Sequence, residues 1–152
     1  MFDPTYTEEQ QALLETARKF TRETIIPVAH EYDEAEKFPL DVFQAAFDLS
    51  LVNIELPEAY GGLGLHTLDG CLVAEELAYG CAAIATSIMC NHLGALPLIV
   101  AGNDEQKRKF LTPLTEKLEF ISYCCSEPEA GSDVAAMKTR LVRDGNGWRL
   151  NG

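Results

Sequence analysis

Apolar residues keep a helical spacing through most of this chain and lose it near Leu118, where strand formers and tight-turn residues take over. A period of 3.6 buries one stripe of a helix, and a period of 2 buries one face of a strand, so the two patterns cannot share one element. The switch therefore predicts an α+β chain. Residues 1–118 form an N-terminal all-α helical bundle domain, and residues 119–152 form the first strands of an incomplete β domain. At 152 residues the chain suits one domain, or one domain with part of a second.

Punctuation divides the helical part. Thr7-x-x-Gln10 reads as a capping box, in which a hydroxyl satisfies an orphan backbone N–H at a helix start. Leu13, Leu14, Ala17, Phe20 and Thr24 follow at helical spacing, and Pro27 ends that helix or opens the next. A further helix is expected from Leu40 to Leu49, with Val42, Phe43, Ala46 and Phe47 inward. The glycine-rich stretch 57–65 reads as a turn, because no strand precedes it and no G-K-[ST] follows. Helices are expected at 67–79, 82–91 and 96–101, the last two separated by His92, Gly94 and their neighbours. Asn103-x-x-Gln106 is a second capping box, opening a helix that ends near Lys117. Beyond it, Phe120 to Ser126 reads as a strand, residues 127–133 as a loop, and 137–143 with 148–151 as a hairpin around Asp144-Gly-Asn-Gly147.

Charge and cysteine content exclude several function classes. The net charge is −12, with residues 1–60 carrying 13 acids against 4 bases. Such a chain repels phosphate backbones, so nucleic acid is not expected as a partner. Five cysteines, with no C-x-x-C pair, point to reduced thiols rather than a disulfide framework. His30, His66 and His92 show no metal-ligand spacing, so no metal is expected. Met1 to Thr5 resemble neither a signal peptide nor an Arg-rich transit peptide. The apolar stretch 81–101 is interrupted by Asn91, His92, Gly94 and Pro97, and reads as core helix rather than a membrane span.

The segment with chemical content is Tyr123-Cys-Cys-Ser-Glu-Pro-Glu-Ala-Gly-Ser-Asp133. A strand that ends in a loop through Ser126, Pro128 and Gly131 presents a hydroxyl and several backbone N–H groups in one direction. Such a loop suits the polar edge of a flat ring together with a phosphate. Gly131 lets a ligand approach the backbone, and Asp133 is the residue expected to fasten the loop by accepting backbone N–H bonds. Ser-Glu-Pro and Gly-Ser-Asp are also common turn sequences, so residue chemistry alone leaves a plain turn open.

The same residues resemble the acyl-CoA dehydrogenase family, whose loop has the form aromatic-x-x-[ST]-E-P-x-A-G-S-D. Tyr123, Ser126, Glu127, Pro128, Ala130, Gly131, Ser132 and Asp133 occupy those positions. Pro57-Glu-x-x-Gly-Gly-Leu-Gly64, Glu75-Glu-Leu-Ala-Tyr-Gly80, Asn91-x-Leu-Gly94 and Gly102-Asn-x-x-Gln-Lys107 are similar to the family too, especially its medium- and short-chain members, and fall in family order. The resemblance implies the family fold, with a β-barrel-like second domain, and FAD as cofactor. It implies that Ser126 bonds the pyrimidine side of the flavin and that the backbone of Tyr123, Cys124 and Cys125 passes along the ring. Gly131 and Ser132 would contact the FAD diphosphate, with Ser132 also near the CoA arm, and Met89 and Leu93 would lie along the acyl chain.

The reaction implied is α,β-dehydrogenation of an acyl-CoA thioester, with electrons passing to an electron-transferring flavoprotein. A homo-oligomer in a bacterial cytoplasm or mitochondrial matrix is the matching setting. Two departures stand out. Glu129 occupies a position where many members have Gly or Asn. The Trp-x-[ST] motif and the glutamate that removes the α proton in the family have no counterpart in residues 1–152, so no catalytic residue is assigned and the chain alone is expected to be inactive. Glu75 and Glu76 are expected to be ordinary helix charges. Two other readings stay open: an acyl-CoA oxidase or flavin monooxygenase relative, distinguished by peroxide production from the full-length protein, and a non-catalytic helical interaction module, against which bound flavin would argue.

Overall fold

A computed structural model of the chain describes residues 6–152, so the reading of Met1 to Thr5 as carrying no leader lies outside the described residues. The expected cap at Thr7 forms: Thr7 Oγ1 accepts from the Gln10 amide at 3.2 Å, and Gln10 Oε1 accepts from the Thr7 amide at 3.1 Å. Helix α1 (Glu8–Phe20) starts there and buries Leu14, Ala17 and Phe20. It runs on into one π turn, Thr21–Ile25, just before Pro27. The wider turn brings Thr21 against the end of the helix at Gly80, where a Cβ on Gly80 would stand 2.6 Å from Thr21 Cγ2. The Thr21 hydroxyl donates to the Glu76 carbonyl at 3.0 Å. The irregular turn thus serves close helix packing.

Helices α2 (Ala29–Ala35), α3 (Leu40–Asp48), α4 (Thr67–Gly80), α5 (Ala82–Ala101) and α6 (Asp104–Glu116) complete the helical unit. The stretch 57–65 is a turn, as expected, with a short 3-10 segment at Glu58–Tyr60. Phe20, Ile25, Phe43, Leu51, Ile54, Val73, Leu77 and Ile88 meet in one core cluster. Each such side chain, fully buried, contributes about 1.5–3 kcal/mol of transfer free energy. A smaller cluster of Leu56, Ala95, Leu111 and Leu114 joins α5 and α6 to the preceding turn. Asn53, in a left-handed conformation at φ 64°, fastens that turn by donating from Nδ2 to the Leu114 carbonyl at 2.6 Å.

Two expectations fail in an informative way. Residues 82–101 form one continuous helix rather than two, with Pro97 inside it. The apparent breakers are packing residues. Asn91 is 1% exposed; its Nδ2 donates to the Glu119 carbonyl at 2.8 Å, and its Oδ1 accepts from the Ile121 amide at 3.0 Å. A Cβ on Gly94 would stand 2.8 Å from the Ile121 carbonyl oxygen, so glycine is needed for that segment to lie against the helix. Helix α5 has the length and composition to cross a membrane, with a mean hydropathy of 1.6. Here it is the central helix of the unit, burying Ile84, Ala85, Ile88, Asn91, Gly94 and Ala95.

The second failure is Phe120 to Ser126, which is extended but is not a strand. A strand needs a neighbour to take its N–H and C=O groups, and here the Asn91 amide takes the Ile121 N–H and, just before the stretch, the Glu119 carbonyl. The compact helical unit accordingly runs through Ser122, four residues past the expected boundary, and the second unit is Tyr123–Gly152.

That second unit carries a two-stranded antiparallel hairpin, β1 (Arg140–Asp144) and β2 (Gly147–Asn151), with Asp144 opposite Gly147. Gly145, at φ 59°, takes the first central position of the turn, which requires a positive φ. β1 starts three residues later than the pattern suggests, because Val134–Ala136 forms a 3-10 turn. Arg143 lies over the Trp148 ring at 5.2 Å, pairing the strands on one face.

Replacing Asn91 with Ala should lower stability by about 1–3 kcal/mol, because it leaves an amide and a carbonyl without partners. Urea unfolding followed by circular dichroism measures this; a midpoint unchanged from the parent chain would show that the Asn91 bonds contribute nothing.

Candidate functional site

The loop 126–139 is built around Glu127. Its backbone bonds Ala130 in both directions, N–H to carbonyl at 3.0 Å and the reverse at 3.2 Å, closing a tight turn over Pro128 and Glu129. Its carboxylate then accepts two backbone amides, Lys138 at 2.7 Å and Thr139 at 2.9 Å. These bonds, led by that from Lys138, hold the Glu127 carboxyl below the usual carboxylate range. The role expected of Asp133 therefore belongs to Glu127. Asp133 contributes its backbone carbonyl, which accepts from the Ala136 amide at 3.0 Å. The sequence did carry a signal for this: a Glu before a Pro-containing turn, thirteen residues ahead of the first strand.

Within that frame, Ser126, Gly131 and Ser132 are exposed, and Ala130 is buried at 2%. A Cβ built on Gly131 meets nothing within 4 Å, so the space beside that backbone is open. Glu129, the departure expected to oppose an anionic ligand, has its carboxylate paired with the Lys138 ammonium. Lys138 thus serves the loop twice, through its amide on Glu127 and its ammonium on Glu129. Of the residues expected along a flavin ring, Tyr123 and Cys124 are exposed and Cys125 is half-buried, with its Sγ 4.0 Å from Met137 Sδ. The Cys125 thiol pushes the Tyr123 phenol above its usual range, consistent with side chains two apart in an extended segment sharing one side.

In the helical unit, Met89 and Leu93 lie along one groove of about 370 Å³ between α4 and α5. Ala74 and Ala78 supply its α4 wall, and Ala85 and Cys90 share the α5 wall. Small side chains leave the volume open, and no charged side chain lines it. Met89 also packs on the main core cluster, so it forms the floor rather than the rim. Glu76, on the other hand, is held by Arg18 at 2.7 Å. Among the described residues no three His, Cys, Asp or Glu side chains gather as a metal site.

Comparison with known proteins adds the following. The family model described as acyl-CoA dehydrogenase, N-terminal domain, matches residues 7–117. A probable medium-chain specific acyl-CoA dehydrogenase 2, mitochondrial, of Caenorhabditis briggsae is 41% identical over 95% of this chain and 36% of its own. The structure of butyryl-CoA dehydrogenase from Megasphaera elsdenii superposes with a TM-score of 0.88 at 29% identity, covering 99% of this chain and 41% of that one. An acyl-CoA dehydrogenase complexed with FAD from Bacillus anthracis gives 0.83 at 29%, covering 99% and 26%. The chain therefore spans roughly two fifths or less of the length of these relatives.

Because the Glu127 carboxyl is depressed in the folded chain, the loop clamp is present above the usual carboxylate range and is lost as pH falls through the lowered value. The Lys138 and Thr139 amide shifts should follow that protonation in an NMR pH titration. In Glu127→Gln they should lose the low-pH step, and an unchanged step would assign it to another group.

Proposed function

This chain belongs to the acyl-CoA dehydrogenase family, and from that premise we propose that the protein carrying it performs FAD-dependent α,β-dehydrogenation of acyl-CoA thioesters. The observation that supports this most is the 126–133 loop: clamped from behind by Glu127, open beside Gly131, and with the Ser126 and Ser132 hydroxyls exposed. A rigid turn with free donors suits a flat ring edge and a diphosphate, because its donors are already ordered before the ligand arrives. The residues fit the cofactor in charge as well, since Lys138 neutralises the carboxylate nearest the turn.

In this reading Ser126 donates to the pyrimidine edge of the flavin, and the Tyr123–Cys125 backbone runs along the ring. The Gly131 backbone and Ser132 hold the diphosphate, with Ser132 also serving the CoA arm. FAD, when bound, supplies the acceptor for the hydride that leaves the β carbon. The groove floored by Met89, with Leu93 alongside, holds the acyl chain and excludes water from it. No carboxylate of the described residues is assigned the α proton: Glu76 is held by Arg18 and Glu127 by two amides. The base is placed in the part of the relatives that this chain does not span. Electrons leave to an electron-transferring flavoprotein, and the assembled protein is a homo-oligomer of a mitochondrial matrix or bacterial cytoplasm.

Gly131→Val tests the cradle. A Cβ at this position meets no protein atom within 4 Å, so the flavin-free protein should keep its Tm while FAD affinity falls at least about tenfold. An unchanged Kd, read by flavin fluorescence quenching, would place the diphosphate elsewhere. Residues 1–152 alone, supplied with FAD, an acyl-CoA series and an artificial electron acceptor, should show no turnover; steady reduction of the acceptor would show that the chain contains its own base.

A further inference from the structure

Helix α2 ends on a residue held in a conformation that suits glycine, and that end borders a cavity. The Glu36 amide donates to the Asp33 carbonyl and the Lys37 amide to the Tyr32 carbonyl, each at 3.2 Å, which are the paired bonds of a Schellman cap. The left-handed position of that cap is filled by Glu36, at φ 51° and ψ 37°, where only glycine sits without strain. Glu36 lines a cavity of about 400 Å³ between the end of α2 and the start of α5. Asp33 lines it too, and neither carboxylate is ion-paired among the described residues. Two rings, Tyr32 and Phe38, share the lining. Phe38 packs on Phe43 and Phe120 and is still 54% exposed. The Tyr32 hydroxyl donates to the Asp41 carboxylate, and a bond to an anion adds electron density to the ring face that a cation would meet. The α5 wall is mostly apolar, with Ala83 and Ile84, and its Ser87 hydroxyl is already given to the Ala83 carbonyl at 2.9 Å.

We propose that this cavity binds a small organic cation carrying a quaternary ammonium group, held by the rings of Tyr32 and Phe38 and the carboxylates of Asp33 and Glu36. Two carboxylates against the single base Lys37 leave the lining negative, in a half of the chain with 13 acids against 4 bases. Charge alone would suit any cation. The walls select the quaternary kind: a primary ammonium would turn N–H donors toward apolar side chains that cannot accept them, whereas methyl groups need no acceptor. Aromatic rings beside carboxylates supply the attraction that such a weakly hydrated ion retains. The strained Glu36 fits the same reading, since glycine there would relax the backbone and remove a carboxylate from the cavity. The site uses another face of α5 than the acyl groove, Ala83, Ile84 and Ser87 rather than Ala85, Met89 and Leu93, and does not rest on the dehydrogenase reading.

The test is calorimetric titration of the full-length protein that carries this chain, at constant ionic strength, with choline and with its uncharged isostere 3,3-dimethylbutan-1-ol. Choline should bind at a single site, and the isostere at least about tenfold more weakly. Glu36→Gly should keep or raise the Tm, because glycine suits the left-handed cap, while choline affinity falls at least about threefold and isostere affinity stays unchanged. A loss of affinity without a loss of stability separates recognition from folding. Phe38→Leu keeps an apolar side chain and should weaken choline more than the isostere, and Lys37→Gln should tighten choline. Choline and isostere bound alike, no choline binding, or a Glu36→Gly protein that binds choline as the parent does would each overturn the site, and none of these results bears on the acyl-CoA chemistry.

Discussion

The buried side-chain amide of Asn91 holds together what the rest of the chain depends on. It sits in the middle of the longest helix, 1% exposed, and gives both of its hydrogen-bonding ends to the backbone at Glu119 and Ile121. In effect it acts as a strand partner supplied by a helix. An extended segment leaving a helical bundle would otherwise leave a half-buried N–H and carbonyl without partners, at a combined cost of about 1–3 kcal/mol. With the amide in place the segment lies flat on α5, and Gly94 allows it to come within backbone distance. The same residue accounts for where the helical unit ends, since the backbone is held by α5 until just before Ser122.

Charge is managed locally in a chain whose net charge is −12. Several carboxylates are spoken for: Glu76 by Arg18, Glu129 by Lys138, Glu127 by two amides, and Glu55 by its contact with His92. Exposed pairs of this kind contribute little to stability. Their consequence lies in the potential around the turn at 126–133. Lys138 satisfies both carboxylates of that turn from two atoms at once. The Glu at position 129, which reads as a departure from the family pattern, is therefore matched by a compensating base nine residues later.

Much of the helical unit was legible because capping boxes and periodic apolar positions act locally. Thr7 with Gln10 and Asn103 with Gln106 set two helix starts as their sequences indicate. The Asp144-Gly-Asn-Gly147 turn was legible for the same reason: a positive φ at Gly145 is a one-residue requirement. Reading failed where the deciding partner is distant in sequence. Asn91 and Gly94 look like breakers until 119–121 is seen lying on them, and Phe120 to Ser126 looks like a strand until the partner of Ile121 proves to be a side chain. The π turn at Thr21–Ile25 depends on contact with Gly80. At the loop, the fastening residue was misread. Glu127 and Asp133 are chemically alike, and only the return of the chain at 138–139 separates them.

The turn at 126–133 and the α4–α5 groove draw on different internal contacts. The loop is held by Glu127, Ala130, Lys138 and Thr139, all within the second compact unit. The groove is held by the α4–α5 pairing, within the first. Substitutions with no shared partners add in their energetic effects, so side chains lining the groove can change size without loosening the turn that carries Ser126 and Ser132.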